Sequence, residues 1–105
     1  MTRSVSSKAE VLERLRANES RIRRLGIRRI GLFGSFVRDE PTTDSDVDVL
    51  VEFDPDQKTF DRFMELSFLL EEILQRPVEI VTTDALSPHV GPRILESVEY
   101  VTEAH

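Results

Sequence analysis

The sequence contains no cysteine and no tryptophan, and it has only one tyrosine and four glycines among 105 residues. Without cysteine the chain can form neither a disulfide bond nor a thiolate metal site. Any metal ion would therefore be held mainly by oxygen ligands, which this acidic sequence supplies in excess.

Positive charge is also scarce, because 14 lysines and arginines face 20 aspartates and glutamates, for a net charge of −6. Proteins that bind a nucleic-acid backbone concentrate Lys and Arg, so we expect no direct nucleic-acid contact. This acidity still allows binding of a nucleotide chelated to a metal ion. No apolar run approaches the ~20 residues that span a bilayer, and the N-terminus lacks the apolar core of a secretory signal. We therefore expect no membrane association and a cytoplasmic location.

The length and the composition, 39% hydrophobic and 32% charged, are typical of one globular domain. We expect residues 1–105 to form a single domain. Hydrophobic periodicity and turn signals predict the secondary structure. The predicted helices cover 8–25, 59–74 and 93–101, and the predicted strands cover 27–33, 47–53 and 77–83. This order predicts an α+β fold, with a small mixed β-sheet packed against helices.

The second predicted strand carries two aspartates inside an apolar run, TTDSDVDVLVEF. Because side chains alternate between the faces of a strand, Asp46 and Asp48 point to the same side, roughly 6–7 Å apart. The other face carries Val47, Val49, Val51 and Phe53 and is expected to be the core face. Two neighbouring carboxylates repel each other unless a cation lies between them. Mg²⁺ suits such a pair, since it binds one or two carboxylates together with waters and substrate phosphates.

Two other interpretations apply to this acidic strand. The aspartates could simply be solvated on the exposed face of a one-sided sheet. A calcium-binding loop is the second, but that loop requires Gly where this chain has Val49 and Glu where it has Pro55. The calcium loop is therefore excluded, whereas the solvated face stays open.

The predicted first strand ends in Gly34-Ser35, and Arg38 follows shortly after. A glycine–serine turn at the end of a strand can offer backbone N–H groups and a hydroxyl to a phosphate. Arg38 lies within reach of the same anion. These three residues are candidates for binding a nucleotide triphosphate.

A third acidic residue, Glu79, lies on the predicted strand 77–83, on the face opposite Val78 and Ile80. If this strand pairs with the Asp46–Asp48 strand in the same orientation, the three carboxylates lie together. Three acids around two metal ions are typical of phosphoryl or nucleotidyl transfer. The alternative is that Glu79 is an ordinary exposed strand residue.

The predicted helix 59–74 carries an apolar stripe formed by Phe60, Phe63, Met64 and Phe68. Such a stripe usually packs into the core. Because four turns of apolar residues exceed what a thin sheet covers, we expect part of it to be exposed to a partner.

The segment GSFVRDEPTTDSDVDVLVEF resembles the G-S-x10-D-x-D signature of the DNA polymerase β-like nucleotidyltransferase superfamily. Together with LLEEILQRPVEIVT, it is most similar to the minimal nucleotidyltransferases, the MNT-domain proteins. The resemblance implies a polymerase β-like fold with ATP as substrate. Gly34 and Ser35 would then hold the triphosphate, and Asp46 and Asp48 would hold two Mg²⁺ ions. Glu79 stands where the family usually has a third aspartate.

The resemblance also implies an activity, the transfer of AMP from ATP to a hydroxyl with release of pyrophosphate. Minimal members resemble the antitoxin of HEPN–MNT toxin–antitoxin pairs, in which the acceptor would be a tyrosine of the HEPN toxin. One alternative is a degenerate module that neutralises a partner by contact alone, which the Glu79 substitution favours. A small-molecule nucleotidyltransferase of the aminoglycoside type fits less well, because this chain has no room for a drug-binding domain.

Overall fold

The computed structural model describes residues 5, 7–34, 36, 46–86, 88–89 and 91–103. The helices are α1 (Lys8–Ala17), α2 (Glu19–Arg24), α3 (Phe60–Leu74) and α4 (Gly91–Ser97), with a short 3-10 helix at Thr83–Ala85. The strands are β1 (Ile27–Phe33), β2 (Val47–Phe53), β3 (Val78–Thr82) and β4 (Glu99–Glu103). None of the described helices is long and apolar enough to cross a membrane.

The four strands form one mixed sheet in the order β3-β2-β1-β4. β1 pairs antiparallel with both β2 and β4, whereas β2 pairs parallel with β3. One face of this sheet packs against the helices and forms the core. Buried residues of this core include Leu15 of α1, Ile22 of α2, Leu70 of α3, Ile30 of β1 and Val49 of β2. The predicted α+β fold with a small mixed sheet is confirmed.

The other face of the sheet is partly covered as well. β3 and β4 lie at opposite edges, so the connection that contains α4 must pass across the sheet. A Cβ added to Gly31 of β1 would lie 2.5 Å from the side chain of Val98, the last residue of this connection, which shows how closely the connection approaches the sheet. Leu50 is completely buried, although it alternates with the core residues Val49 and Val51. The sequence did not indicate this second buried layer.

The predicted helix 8–25 is interrupted at Asn18, where α1 ends and α2 begins. Asn18 has φ −111° and ψ 19°, and its side-chain Nδ2 donates to the Arg14 carbonyl at 2.9 Å. An asparagine that bonds to nearby backbone competes with the helical hydrogen bonds. The prediction of one continuous helix was therefore wrong at this residue.

The predicted helix 93–101 was also wrong in its second half. The helix covers Gly91–Ser97 and is followed by β4, which pairs with the outer edge of β1. An unpaired strand edge offers a full row of hydrogen-bonding groups. Residues 99–103 therefore pair with β1 instead of extending the helix, and Tyr100, a good strand former, lies opposite Gly31.

α3 begins one residue later than predicted, because Thr59 is its N-cap and accepts a hydrogen bond from the Arg62 N–H at 3.1 Å. Likewise β3 begins at Val78 rather than at Pro77 and ends at Thr82. Phe60 and Phe68 are 77% and 65% exposed, which confirms that part of the predicted apolar stripe faces outward. Phe63 and Met64 are half-buried.

Candidate active site

Asp48 and Glu79 are direct neighbours on adjacent strands. They form a register pair between β2 and β3, which run parallel, so both side chains point to the face away from the helical core. Neighbouring strands lie about 4.8 Å apart, which brings the two carboxylates close together. Asp46 precedes Asp48 by two residues and is exposed, as is Glu79, whereas Asp48 is half-buried. The grouping of Asp46, Asp48 and Glu79 required their two strands to pair in parallel. β2 and β3 do so.

Gly34 lies beside this acidic pair. It follows Phe33, the β1 residue paired with Asp48, and it adopts φ +77°, a conformation that favours glycine. A Cβ added to Gly34 would overlap Oδ2 of Asp48 and would lie 3.1 Å from its Cγ. The backbone at the end of β1 therefore runs directly against a carboxylate of the site.

Phe36 and Arg76 form a second contact at this end of the sheet. The Phe36 side chain is fully buried, and the Arg76 guanidinium carbon lies 5.1 Å from the centre of its ring. Sequence reasoning did not single out Arg76. The available signal was its place immediately before Pro77, where the chain enters the strand that carries Glu79.

Two of the predicted nucleotide-binding residues, Ser35 and Arg38, lie outside the described residues. Their assignment to the triphosphate stays a prediction. The residues before and after Ser35 are described. Gly34 lies against Asp48, and the ring of Phe36 lies under the guanidinium of Arg76.

The site offers carboxylate oxygens, the hard ligands that Mg²⁺ prefers. Within the described ranges, no three or more Asp, Glu or His side chains are already arranged to hold a metal ion. Mg²⁺ is rarely enclosed by protein ligands alone and usually takes one or two carboxylates with waters and substrate phosphates. Asp48, with Asp46 and Glu79 beside it, fits such an open site.

A second charged cluster lies at the other end of the parallel strands. Lys58 and Asp84 form an ion pair next to a cavity of about 340 Å³. The hydrogen bond from Lys58, helped by one from the Thr82 hydroxyl, lowers the pKa of Asp84. Because it is at the opposite strand ends from Asp48 and Glu79, this cluster is separate from the acidic site.

An acidic pair on adjacent parallel strands is thus packed against a glycine turn at the end of β1. The nucleotidyltransferase domain family matches residues 9–101, and the chain belongs to this family of enzymes. The fold agrees, since the chain is similar to a solved structure assigned to the minimal nucleotidyltransferases. That match has a TM-score of 0.71 and 34% identity, and it covers 84% of this chain and 93% of the other.

The chain is also similar to a curated relative, the protein adenylyltransferase MntA of Thermococcus cleftensis. The two are 39% identical over 93 residues, which cover 88% of this chain and 93% of the relative. A toxin–antitoxin structure with AMP-PNP matches with a TM-score of 0.65 and 21% identity, over 92% of this chain and 73% of the other. A complex of tri-AMPylated Shewanella oneidensis HEPN toxin with MNT antitoxin matches with a TM-score of 0.57 and 21% identity, over 84% and 71%. At this identity, the last two structures support the fold alone.

Proposed function

We propose that this protein is a Mg²⁺-dependent adenylyltransferase that moves AMP from ATP to a protein hydroxyl and releases pyrophosphate. The observation that carries the proposal is the pairing of Asp48 with Glu79 on parallel strands, directly beside Gly34. The similarity to an archaeal protein adenylyltransferase supports a protein as the acceptor. The family match over 9–101 also supports residues 1–105 acting as one domain.

Asp46 and Asp48 would hold two Mg²⁺ ions, and Glu79 would be a ligand of one of them. When bound, Mg²⁺ neutralises phosphate charge and lowers the barrier to attack at phosphorus. Gly34, Ser35 and Arg38 position the triphosphate, because the protein contributes mainly placement and electrostatics to such chemistry.

At phosphorus, the reaction makes one bond and breaks one. The acceptor oxygen bonds to the α-phosphorus, and the bond from that phosphorus to the bridging oxygen of the β-phosphate breaks, so pyrophosphate leaves. Glu79 accepts the proton of the attacking hydroxyl. Its exposure leaves room for an acceptor chain to approach.

We further propose that the acceptor is a tyrosine of a HEPN-domain toxin, which adenylylation inactivates, so that this chain acts as its antitoxin. This choice of partner follows from the resemblance of the sequence to MNT antitoxins. A solved structure that shares the fold is itself a complex of an AMPylated HEPN toxin with an MNT antitoxin. Because the reaction consumes ATP, we place it in the cytoplasm.

A non-catalytic antitoxin that acts by contact alone is the second candidate. It is favoured by Glu79, whose side chain is one methylene longer than the aspartate usual in the family, since Mg²⁺ demands strict geometry. Such a protein would bind the toxin but release no pyrophosphate.

The test is transfer of AMP from labelled ATP to the co-purified toxin, with pyrophosphate measured in parallel. Asp48→Asn should abolish transfer, because it removes a charge that the metal ions require. Asp56→Asn is the matched control, since Asp56 is exposed in the turn after β2. Transfer by Asp48→Asn at the wild-type rate, or inhibition of the toxin by wild-type protein without transfer, would contradict the proposed enzyme.

A further inference from the structure

We infer that Arg76 is a positioning residue for the nucleotide. Its guanidinium holds Phe36 in place, and so supports the end of β1 at Gly34, where the triphosphate would bind. This inference rests on the proposed function and adds to it a residue that would act on the nucleotide through Phe36. Three described contacts support this role.

The first contact fixes the backbone of Arg76 beside the acidic strand. Arg76 immediately precedes Pro77, whose carbonyl accepts a hydrogen bond from the N–H of Val47 at 3.0 Å. Val47 is the first residue of β2 and lies between Asp46 and Asp48. Arg76 is therefore held at the same end of the sheet as the acidic pair.

The second contact fixes the side chain. Nε of Arg76 donates to the carbonyl of Val5 at 2.8 Å, and the N–H of Val5 in turn donates to the carbonyl of Leu74 at 3.1 Å. Val5 is fully buried. A directional hydrogen bond to a buried backbone group orients the planar guanidinium.

The third contact joins Arg76 to Phe36. The guanidinium lies over the ring of Phe36, and that ring is completely buried, so a shift of either group would disturb its packing with the other. Gly34, two residues earlier, is packed against the Asp48 carboxylate. Two described residues after β1 are thus held by contacts, Gly34 by the acidic strand and Phe36 by Arg76. Binding is tighter when the residues that receive the phosphate are already held in place, because less conformational freedom is lost on binding.

The chemistry of arginine distinguishes this role from simple attraction of phosphate. Stacking on the ring and the hydrogen bond from Nε both require the planar guanidinium, which lysine lacks. Arg76→Lys keeps the positive charge but loses the stacking geometry. If Arg76 acts through Phe36, lysine will restore little of the function that alanine removes.

The experiment measures binding of AMP-PNP with Mg²⁺ by calorimetry, together with kcat and the KM values for ATP and for the toxin. We expect Arg76→Ala to raise both the Kd for AMP-PNP and the KM for ATP roughly tenfold. The KM for the toxin and kcat should stay within about twofold, because the reacting groups are untouched. Arg76→Lys should resemble Arg76→Ala.

Arg14 supplies the matched control. Its guanidinium also donates to backbone carbonyls, those of Ile73 and Leu74 at 3.1 and 3.4 Å, but at the end of α3. Arg14→Ala should lower the melting temperature and leave the Kd for AMP-PNP unchanged. Equal losses of binding in Arg14→Ala and Arg76→Ala would show a general effect of stability and would overturn the inference.

A double-mutant cycle tests whether Phe36 transmits the effect. Phe36→Leu keeps a buried apolar side chain but removes the ring, and its effect on Kd should not add to that of Arg76→Ala. Additive effects, an unchanged Kd in Arg76→Ala, or wild-type binding by Arg76→Lys would each overturn the inference while leaving the proposed function intact. A wild type that binds no nucleotide would overturn the proposed function itself.

Discussion

The carboxylate of Asp48 lies directly against the Cα of Gly34, where the last residue of β1 is paired with β2. No side chain fits between them, because a Cβ at residue 34 would overlap Oδ2 of Asp48. The positive φ of Gly34 adds a second requirement for glycine. Backbone and carboxylate are thus mutually fixed at this point of the site.

We predict that Gly34→Ala lowers the free energy of unfolding by about 1–3 kcal/mol and abolishes binding of AMP-PNP with Mg²⁺. The added methyl group must displace either the backbone or Asp48. Calorimetry and urea unfolding measure the two effects.

Gly26→Ala is the control for that variant, since Gly26 also has a positive φ, +85°, but faces Gln57. It should cost stability without loss of nucleotide binding. A Gly34→Ala protein that binds as well as wild type would show that the contact with Asp48 is unimportant for the site.

For Glu79, we expect Glu79→Gln to lower the rate of AMP transfer by about 10²–10⁴-fold, the usual contribution of a positioned acid or base. Glu79→Asp should retain or raise the rate, because it restores the side chain usual in the family. Transfer of label from ATP to the toxin measures all three proteins. If Glu79→Gln transfers as fast as wild type, Glu79 has no part in the reaction and the Asp46–Asp48 pair acts alone.

Two residues of α3 give opposite predictions for stability. Leu66 is fully buried in the core, and Leu66→Ala should lower the free energy of unfolding by about 2–5 kcal/mol. Phe68 is exposed, and Phe68→Ala should change it by less than about 0.5 kcal/mol. Urea unfolding followed by circular dichroism measures both. A large loss in Phe68→Ala would mean that its ring is covered in solution.

The Lys58–Asp84 pair predicts a pH dependence. The folded pKa of Asp84 is lowered from 3.8, first by its bond to Lys58, so the ionised form stabilises the fold. This stability is present above pH 3.8 and is lost as the pH falls through the lower, folded pKa. Lys58→Met should therefore lower the melting temperature slightly at neutral pH and not in strong acid. Because the pair is exposed, added salt should also reduce the difference. A difference that is the same at both pH values would contradict this assignment.

The two central strands could be read from the sequence to the residue, as 27–33 and 47–53. Both are apolar runs bounded by turn residues, so local pattern was enough to define them. Local pattern did not predict the break at Asn18 or the strand β4. The break at Asn18 depends on a side chain that competes with its own helix, and β4 depends on the free edge of β1, which no local window of sequence reveals.

The acidic pair could be predicted because strand alternation places Asp48 and Glu79 on one face as soon as the strands are parallel. The contact of Arg76 with Phe36 could not be predicted. It joins residues 40 positions apart through a ring and a guanidinium, and nothing in either local sequence marks the other as its partner.

The pairing of β1 with β4 also sets the timing of folding. β1 ends at Phe33 and its outer neighbour begins at Glu99, so the sheet cannot be completed until the chain between them has been made. At about 5–20 residues per second, synthesis of that interval takes on the order of 3–13 s. During this time the outer edge of β1 lacks its final neighbour, and unpaired edges invite pairing with other chains. We expect aggregation during expression to depend on that delay. Substitutions that weaken β4 too little to lower the stability of the purified protein should therefore already increase aggregation in the cell.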